Sequence, residues 1–345
     1  MALFKAFGKI PEGERLKSIL KSPNYRENNF QNLSETVLMA GNGSMMKNIW
    51  KFLNKPKDTS PPRPLPSVKT DLLSIRADKP VLVWFGHSSY LLFAGGKTIL
   101  VDPVFSGKAS PFSFGPTSFP GTDTYTAKDM PPIDLLIITH DHYDHLDSET
   151  VTQLKPKVRQ IATSMGVGTH LEYWGFDRSI ITEFDWWDEH PFFDSIKLIA
   201  APARHFSGRS LTRNRTLWSS FILETGGWKI YIGGDSGYDL HFKDIGNRFG
   251  PFDLAILEAG QYNEQWPQIH MMPEETVQAS IDLRAKWLMP VHWGKFSLSL
   301  HPWDEPIKRV IAEAARLQVQ VTTPMIGEQL VLGSNYPKND WWIER

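Results

Sequence analysis

The sequence predicts a mixed α/β fold in which strands dominate the first half of the main domain and helices alternate with strands later. From residue 81 onwards, short β-branched and leucine-rich runs recur between turn residues, as is typical of strands. Paired glycines at 95–96 and 226–227 separate such runs and indicate β-hairpins. Towards the C-terminus, apolar residues at helical spacing follow Pro273 and Pro306, and proline is common in the first turn of a helix.

Strands are expected wherever such a run lies between turn or breaker residues. The run 97–101 ends at Asp102, and the run 135–139 lies between a proline pair and a histidine cluster. Because 135–139 is apolar without alternation, we expect a strand that is covered on both faces. The predicted strands are 81–85, 88–93, 97–101, 135–139, 160–162, 180–181, 197–200, 218–224, 228–232, 254–257, 287–291 and 319–322.

Residues 1–80 differ in pattern from the rest and are predicted to form an extension that precedes a catalytic domain at 81–345. A helix is expected at 14–22 because apolar residues share one helical face. These residues are Leu16, Ile19 and Leu20. Residues 56–66 contain five prolines, which predicts an extended arm on the surface of the main domain.

A second amphipathic helix is predicted in the extension, with Ser44 as its N-cap. Its apolar residues are Met45, Met46, Ile49, Trp50 and Leu53. Packing of this face against the main domain is one interpretation. Peripheral contact with a membrane is the other, because Lys47 and Lys51 flank the apolar residues.

Composition limits the classes of partner and chemistry. The chain has 345 residues, a formal net charge of −1 and no long basic run, so nucleic acid is not expected as a partner. The absence of cysteine excludes disulfides, a thiolate nucleophile and Cys-ligated zinc, which leaves His, Asp and Glu as metal ligands. No signal sequence or spanning helix is visible, which predicts a soluble, cytoplasmic protein, and nothing indicates an oligomeric state.

The most informative stretch is 140–145, His-Asp-His-Tyr-Asp-His, which follows a predicted buried strand. Four potential ligands at positions i, i+2, i+4 and i+5 cannot all reach one small ion without severe strain, but they can divide between two neighbouring ions. We therefore expect His140 and His142 to bind one metal. Asp144 and His145 would bind the other. A solvated, histidine-rich turn is the alternative interpretation.

Further metal-competent residues follow predicted strands at His205, Asp235 and His292. His205 would complete the first metal site. Asp235 follows two glycines that let the backbone approach closely, which suits a carboxylate that bridges two cations. Two zinc ions would hold a hydroxide between them, with the pKa of bound water lowered to about 7, and Mn²⁺ or Fe would also suit an all-N/O ligand set.

The order of these residues resembles the ligand order of the metallo-β-lactamase superfamily. Similarity to its N-acyl-phosphatidylethanolamine phospholipase D branch extends over 81–333. It is carried by Trp-Phe-Gly-His-Ser at 84–88, Asp-Pro-Val-Phe-Ser at 102–106, Pro-Pro-Ile-Asp at 131–134, Pro-Ala-Arg-His-Phe at 202–206, Leu-Trp-Ser-Ser at 217–220, Gly-Asp-Ser-Gly-Tyr at 234–238 and Phe-Gly-Pro-Phe-Asp-Leu at 249–254. Ascorbate-phosphate lactonases share the Gly-His-Ser-Ser opening. The resemblance implies an αββα sandwich with a binuclear site at one edge.

Residues outside the ligand set are assigned by the same resemblance or by their charge. The resemblance gives His270 a role in stabilising developing charge or protonating a leaving alkoxide, with a purely structural hydrogen bond as the alternative. Four arginines crowd the loop after the fourth group of predicted strands, where they would suit a phosphate or be solvated. They are Arg204, Arg209, Arg213 and Arg215. Arg204, Arg209 and Tyr262 are the predicted substrate-binding residues.

Two further interpretations concern supporting residues. His87 is expected to support the site indirectly or to be structural. Several loop aromatics would line an acyl groove, or would pack in the core. They are Phe112, Phe114, Phe119, Trp186, Trp187, Trp266 and Trp303.

The sequence therefore predicts a dinuclear zinc hydrolase, a phosphodiesterase of phospholipase D type that acts on a lipid or small-molecule phosphodiester. Asp144, Asp235 and His270 are the predicted catalytic residues. A lactonase or other ester or amide hydrolase would use the same hydroxide on a carbonyl carbon. A metal-stabilised binding protein without turnover is the third hypothesis.

Overall fold

Two β-sheets packed face to face form the centre of the computed structural model, which describes residues 5–39, 54–76, 78–112, 115–210 and 212–343. The strands are β1 Tyr25–Arg26, β2 Asn29–Phe30, β3 Val81–Trp84, β4 Tyr90–Ala94, β5 Lys97–Val101, β6 Ile133–Ile138, β7 Val158–Ser164, β8 Ile181–Phe184, β9 Glu189–Phe192, β10 Ile196–Ala201, β11 Ser220–Thr225, β12 Trp228–Ile232, β13 Leu254–Glu258, β14 Leu288–Val291 and β15 Gln329–Val331. The α-helices within the described ranges are α1 Gly13–Ile19, α2 Ser148–Leu154, α3 Gly168–Tyr173, α4 His241–Phe249, α5 Pro273–Asp282 and α6 Glu305–Leu317. Short 3-10 helices lie at Lys57–Thr59, Lys155–Lys157 and Arg178–Ile180.

The strands form one seven-stranded and one six-stranded sheet. The seven-stranded sheet has the order β15-β3-β4-β5-β6-β7-β8, and the six-stranded sheet has the order β14-β13-β12-β11-β10-β9. In the first sheet β5 to β8 are parallel, and in the second β12, β13 and β14 are parallel. The predicted hairpins at 95–96 and 226–227 are the antiparallel pairs β4-β5 and β11-β12.

Three apolar layers explain why the sequences of the strands are apolar at consecutive positions. The central layer lies between the sheets and joins residues such as Leu92 and Ile99 to Phe221 and Ile230. A second layer packs the first sheet against α2 and α3, and a third packs the other sheet against α4, α5 and α6. Each sheet is thus covered on both faces, and the predicted αββα sandwich is confirmed.

The N-terminal extension is packed into this architecture. Ile19 and Phe30 are fully buried in a cluster with Trp186, Leu217 and Trp218 of the sandwich. The proline-rich arm also contributes to the interior, because Leu65 belongs to the central layer. The predicted boundary at residue 80 stays a prediction, and the predicted helix that begins at Ser44 lies outside the described residues.

The structure differs from the predicted elements at several places. The predicted strand 319–322 is reduced to isolated bridges, because Val321 pairs with Leu288 whereas Thr323 turns to pair with Lys338. Leu20 is exposed because α1 ends at Ile19. The strands β1, β2, β9 and β15 and the helices α3 and α4 were not predicted; α4 is rich in polar and charged residues. The helices in the described ranges are all too short or too polar to span a bilayer.

We predict that the extension contributes substantially to stability. Phe30→Ala should lower the free energy of unfolding by about 3–5 kcal/mol, because it removes a fully buried ring from the cluster that joins the extension to the sandwich. Chemical denaturation would measure this loss. Leu33→Ala is the matched control, since Leu33 is 58% exposed and should change stability by no more than about 0.5 kcal/mol. Equal effects of the two substitutions would contradict the prediction.

Candidate metal centre

Six polar positions meet at one edge of the sandwich because their strands run in the same direction within each sheet. In the first sheet, β3 and β6 are both antiparallel to β4, and in the second sheet β10, β12, β13 and β14 share one direction. The carboxyl ends of these strands carry His87, the 140–145 loop, His205, Asp235, Glu258 and His292.

The first group of potential ligands contains three imidazoles and one carboxylate. Nδ1 of His142 lies 2.9 Å from Nε2 of His140 and 3.2 Å from Nε2 of His205. Asp235 completes the group, and one potential ligand atom from each residue lies within 4.8 Å of the others. These residues are the ones predicted for the first metal.

A second group lies beside the first and has the same composition. It contains the predicted residues Asp144, His145 and His292, together with His87, whose ligand atoms also lie within 4.8 Å of one another. Nε2 of His87 is 2.9 Å from Oδ2 of Asp144. The ring of His87 lies over that of His292, with the centroids 4.1 Å apart. His87 was predicted to support the site indirectly or to be structural, whereas the geometry places it in the second group of potential ligands.

Asp235 faces both groups with different oxygens. Oδ1 lies 3.1 Å from Nε2 of His145 and 3.1 Å from Nδ1 of His292. Oδ2 lies 3.8 Å from Nε2 of His140 and 3.7 Å from Nε2 of His205. This geometry agrees with the predicted bridging role.

Gly234 allows the Asp235 backbone to reach this position. Its φ of 60° lies in the left-handed region, and a Cβ there would lie 3.0 Å from Cβ of Thr139 in the strand-to-loop connection of the other sheet. The backbones of the two sheets therefore approach closely next to Asp235, and a side chain at position 234 would not fit without a shift of Thr139.

In three of the potential ligand histidines a hydrogen bond fixes the outer nitrogen, which leaves the inner nitrogen directed at the centre. The pairs are His145 Nδ1 with Asp102 Oδ2 at 2.8 Å, His205 Nδ1 with the Ile269 carbonyl at 2.8 Å, and His140 Nδ1 with Thr139 Oγ1 at 3.0 Å. Asp102 is itself held by the backbone N–H and the hydroxyl of Thr139. Such outer partners fix the orientation and tautomer of metal-binding histidines.

Three non-glycine residues at the centre have a left-handed backbone. His87, Asp102 and His292 have φ values of 52°, 41° and 65°. Such conformations cost on the order of 1–3 kcal/mol each and persist where surrounding contacts impose them. Here the main chains of His87 and His292 are tied together, because the His292 N–H donates to the His87 carbonyl and the His87 N–H donates to the Trp293 carbonyl.

Most of the potential ligands are in the charge state that binds cations, and His145 is the exception. Burial lowers the pKa of His140, His205 and His292 well below its ordinary value, so these imidazoles are neutral. Burial would raise the pKa of Asp235, but the surrounding imidazoles, His145 first, hold it well below its ordinary value. Burial would likewise lower the pKa of His145, but the carboxylates around it raise the pKa well above its ordinary value. The cluster thus attracts positive charge.

These observations fit two divalent cations. Metal binding requires neutral imidazoles and ionised carboxylates, and His140, His205, His292 and Asp235 are in these states. A bound cation would displace the proton of His145. Nε2 of His145 and Oδ1 of Asp235 face each other, are buried and form no hydrogen bond with any described residue. Buried polar atoms without partners are rare and call for an explanation such as a bound ion. The two ligand groups with Asp235 between them supply that explanation.

A buried acid and a histidine form a further pair beside the two groups. Nδ1 of His270 lies 2.7 Å from Oε2 of Glu258, whose other oxygen accepts the backbone N–H groups of Ser236 and Met271. Burial raises the pKa of Glu258 to about 7. Burial alone would lower the pKa of His270, but the Glu258 carboxylate outweighs it and raises the pKa to about 9. His270 therefore carries a proton at neutral pH.

Glu258 was missed by the sequence reasoning. The available signal was an acidic residue that ends an apolar run, the same pattern that identified the ligands. Together with Asp235, His270 and His292 it forms a third set of ligand atoms within 4.8 Å of one another.

A pocket of about 250 Å³ opens onto the centre. Its polar lining comes from four of the predicted ligand residues and, in addition, from His270, Gln261 and Arg213. Its apolar lining comes from Leu38, Met39, Phe206, Trp266, Ile269 and Leu298. A larger cavity of about 680 Å³ lies on the other side of the loop, beside Tyr143, and its lining contains none of the predicted ligands. The smaller pocket is therefore the candidate substrate site.

Comparison with known proteins places this architecture in a family. Residues 97–293 match the model described as the Beta-lactamase superfamily domain. An uncharacterised protein of Mycobacterium tuberculosis is 38% identical over 328 residues, which cover 93% of this chain and 88% of that protein. The chain belongs to the metallo-β-lactamase superfamily.

Two further comparisons refine this assignment. The N-acyl-phosphatidylethanolamine-hydrolyzing phospholipase D 1 of Caenorhabditis elegans is 32% identical over 233 residues, which cover 62% of this chain and 64% of that enzyme. The match thus spans less than two thirds of the enzyme. The structure of Igni18, a metallo hydrolase of Ignicoccus hospitalis, has a TM-score of 0.57 at 19% identity and covers 74% of this chain and 100% of that one. The predicted superfamily is confirmed, and its members related to this chain include metal-dependent hydrolases.

In this superfamily member, two of the predicted substrate-binding residues lie away from the pocket lining. The guanidinium of Arg204 donates to Thr36 Oγ1 and to the carbonyls of Glu35 and Tyr238, so it holds the extension. The hydroxyl of Tyr262 donates to Glu305 at 2.6 Å. The geometry therefore gives both residues structural partners in place of the predicted contact with substrate.

The arginine that lines the pocket is not one of the two arginines predicted to bind substrate. Arg209 is 4% exposed, and its guanidinium donates to the carbonyls of Ala6, Asp141 and Leu146, outside the pocket lining. Arg213 is exposed and lines the pocket. The sequence could not separate the pocket arginine from its three neighbours, because their separation in space depends on how the loop folds back.

The predicted aromatic groove is mostly core. Phe119, Trp186 and Trp303 are buried, and Trp187 packs beside the third apolar layer. Of the predicted aromatics in the described ranges, Trp266 lines the pocket at the metal centre. Phe114 lies outside the described residues. Core packing, the alternative interpretation, therefore accounts for most of these side chains.

The bridging geometry of Asp235 predicts the metal content of variants. Wild-type protein should hold close to two metal ions per chain by elemental analysis. Asp235→Ala should lose more metal than His205→Ala, because its carboxylate faces both groups whereas His205 belongs to one. Asp253→Asn, which alters an aspartate paired with Lys286 far from the centre, should retain wild-type content. One ion in fully loaded wild-type protein would contradict the two-metal assignment.

Proposed function

We propose that this protein is a dinuclear zinc phosphodiesterase of the phospholipase D type, with a lipid phosphodiester such as an N-acyl-phosphatidylethanolamine as substrate. The observation that carries the proposal is the shared pocket of the Asp235-centred cluster and the His270–Glu258 pair. The relatives named as N-acyl-phosphatidylethanolamine-hydrolyzing phospholipase D support the same substrate class.

Seven residues would hold the ions, with His87 as an eighth candidate. They are His140, His142, Asp144, His145, His205, Asp235 and His292. Bound divalent ions supply Lewis-acid chemistry, which lowers the pKa of water and neutralises charge on substrate oxygens. Mn²⁺ or Fe would suit the same N/O ligands.

His270 is suited to protonate the leaving alkoxide of a diester. Its Nδ1 is occupied by Glu258, so Nε2 remains for the pocket that His270 lines. The raised pKa of about 9 keeps the ring protonated at neutral pH, and burial of Glu258 prevents water from weakening the pair. Transfer of the proton to the departing oxygen would leave a neutral imidazole, which Glu258 still orients.

The rest of the pocket fits an amphiphilic anion. Arg213 lines the pocket as an exposed guanidinium and lies over the ring of Phe206, 5.4 Å from its centroid. Leu38, Met39 and Trp266 form an apolar wall of the pocket. A phosphate with apolar substituents would be contacted by both surfaces.

A panel of substrates tests the proposal. Zinc-loaded protein should hydrolyse bis(p-nitrophenyl) phosphate and N-acyl-phosphatidylethanolamine in mixed micelles, and metal-depleted protein should not. Hydrolysis of a lactone without hydrolysis of either diester would overturn the proposal in favour of the lactonase hypothesis. Turnover of neither class by protein with two bound ions would indicate a binding protein.

Substitution of His270 should separate its chemistry from metal binding. His270→Ala should retain both ions but lose roughly 10²-fold or more in kcat, the scale of one general acid or charge-stabilising donor. His270→Gln should lose a similar factor, because its amide can bond to Glu258 but cannot transfer a proton. His190→Ala is a control, since His190 is exposed on β9. Unchanged turnover would remove His270 from the mechanism, and loss of metal or of fold would make it structural.

A further inference from the structure

The 140–145 loop is held from its outer side by a buried arginine. Nη1 of Arg209 donates to the carbonyls of Asp141 and Leu146, at 2.7 Å and 2.6 Å. These two carbonyls bracket the three ligand residues between them. Because one nitrogen of a buried side chain bonds carbonyls near both ends of this short loop, it restrains the curvature of the loop. The other two nitrogens of the planar guanidinium are free to bond elsewhere.

The same guanidinium reaches the N-terminal segment. Nε and Nη2 of Arg209 both donate to the carbonyl of Ala6, at 3.1 Å and 2.8 Å. Four hydrogen bonds therefore connect one side chain to the loop and to the extension. Arg209 thus joins two parts of the chain that are remote in sequence.

Aromatic residues enclose this contact. The guanidinium carbon of Arg209 lies 4.1 Å from the ring centroid of Tyr143 and 5.1 Å from that of Trp174. The hydroxyl of Tyr143 donates back to the Arg209 carbonyl, and the indole N–H of Trp174 donates to the Lys5 carbonyl at 2.8 Å. Tyr143 lies between two ligand residues of the loop, so its side chain is fixed on the side away from the metals.

A histidine provides a second connection between segment and loop. The backbone N–H of Lys9 donates to Nδ1 of His170 at 3.1 Å, so the proton of the neutral ring is on Nε2. Nε2 lies 3.3 Å from Oδ2 of Asp141, which also accepts from Thr216 Oγ1 at 2.9 Å. Asp141 belongs to neither ligand group, and its carboxylate is used to anchor the loop.

Gly8 makes the docking of the segment possible. Its φ of 71° is left-handed, and a Cβ at this position would collide with the His170 ring. The segment therefore reaches His170 only with glycine at this position.

We propose that residues 5–9, together with Arg209 and His170, form an outer clamp that positions the 140–145 loop for metal binding, so that metal retention depends on the N-terminal segment. Arg209 and His170 are positioning residues in this arrangement and do not face the pocket. The inference rests on the ligand assignment made above, but not on the identity of the substrate.

The test measures zinc affinity of the full chain by competition with a chromophoric chelator. Arg209→Met should weaken retention of zinc by about 10- to 100-fold, the usual effect of removing a group that orients metal ligands. Gly8→Ala should shift zinc affinity in the same direction by dislodging residues 5–9, although it changes no residue of the sandwich. The melting temperature of the metal-free protein is measured in parallel.

Two matched controls separate positioning from general stabilisation. Gly13 also has a left-handed φ, 56°, but a Cβ there would meet no atom within 4 Å, so Gly13→Ala introduces similar strain without displacing the segment. Arg15 is also a buried arginine, but its ion pairs go to Glu172 and Glu183. Arg15→Met should therefore lower the melting temperature and leave zinc affinity unchanged.

The outcomes distinguish the clamp from the proposed function. Zinc affinity of Gly8→Ala equal to that of Gly13→Ala would overturn the clamp. If Arg209→Met does not fold, the comparison of these two glycine variants provides the test. A loss of melting temperature in Arg209→Met with wild-type zinc affinity would also overturn it. Wild-type protein that binds no zinc would remove both proposals. If Arg209→Met and Gly8→Ala retain zinc more weakly but the zinc-loaded wild-type protein has no phosphodiesterase activity, the clamp is supported and only the proposed function is rejected.

Discussion

The carboxylate of Asp235 is the interaction on which the rest of the site depends. One oxygen faces His145 and His292, and the other faces His140 and His205, at 3.1 to 3.8 Å. A buried carboxylate is costly unless positive charge lies close to it. The imidazoles around Asp235 provide such a charge when they bind a metal cation or take up a proton. Folding of this edge and binding of metal are therefore linked.

That linkage explains how the surrounding residues are used. Asp102 and Glu258 are buried acids that face histidines and not solvent, at 2.8 Å from His145 and 2.7 Å from His270. The first fixes a predicted ligand, and the second fixes a predicted proton donor. A buried carboxylate behind an imidazole thus supports both a predicted metal ligand and a predicted proton donor at the same edge of the sandwich.

The N-terminal extension belongs to the site although it lies outside the region matched by the family model, which begins at residue 97. The side-chain amide of Asn32 donates to the His205 carbonyl and accepts the His205 N–H. Leu38 and Met39 line the pocket, and Ala6 accepts two hydrogen bonds from Arg209. Variation in this extension would therefore alter pocket shape and loop support without any change to the ligands.

By itself the sequence determined the ligand candidates, because an apolar run that ends in His or Asp is a local pattern that reports strand and ligand together. The superfamily and the sandwich followed from the resemblance of the ligand order and its flanking motifs to a known family. The sequence did not determine the partners of those ligands. His87 and Glu258 reach the centre from different sheets, and Arg209 was predicted to bind substrate although it supports the loop. Long side chains contact residues that are distant along the chain, so only the tertiary structure decided which of them serve the pocket and which serve the fold.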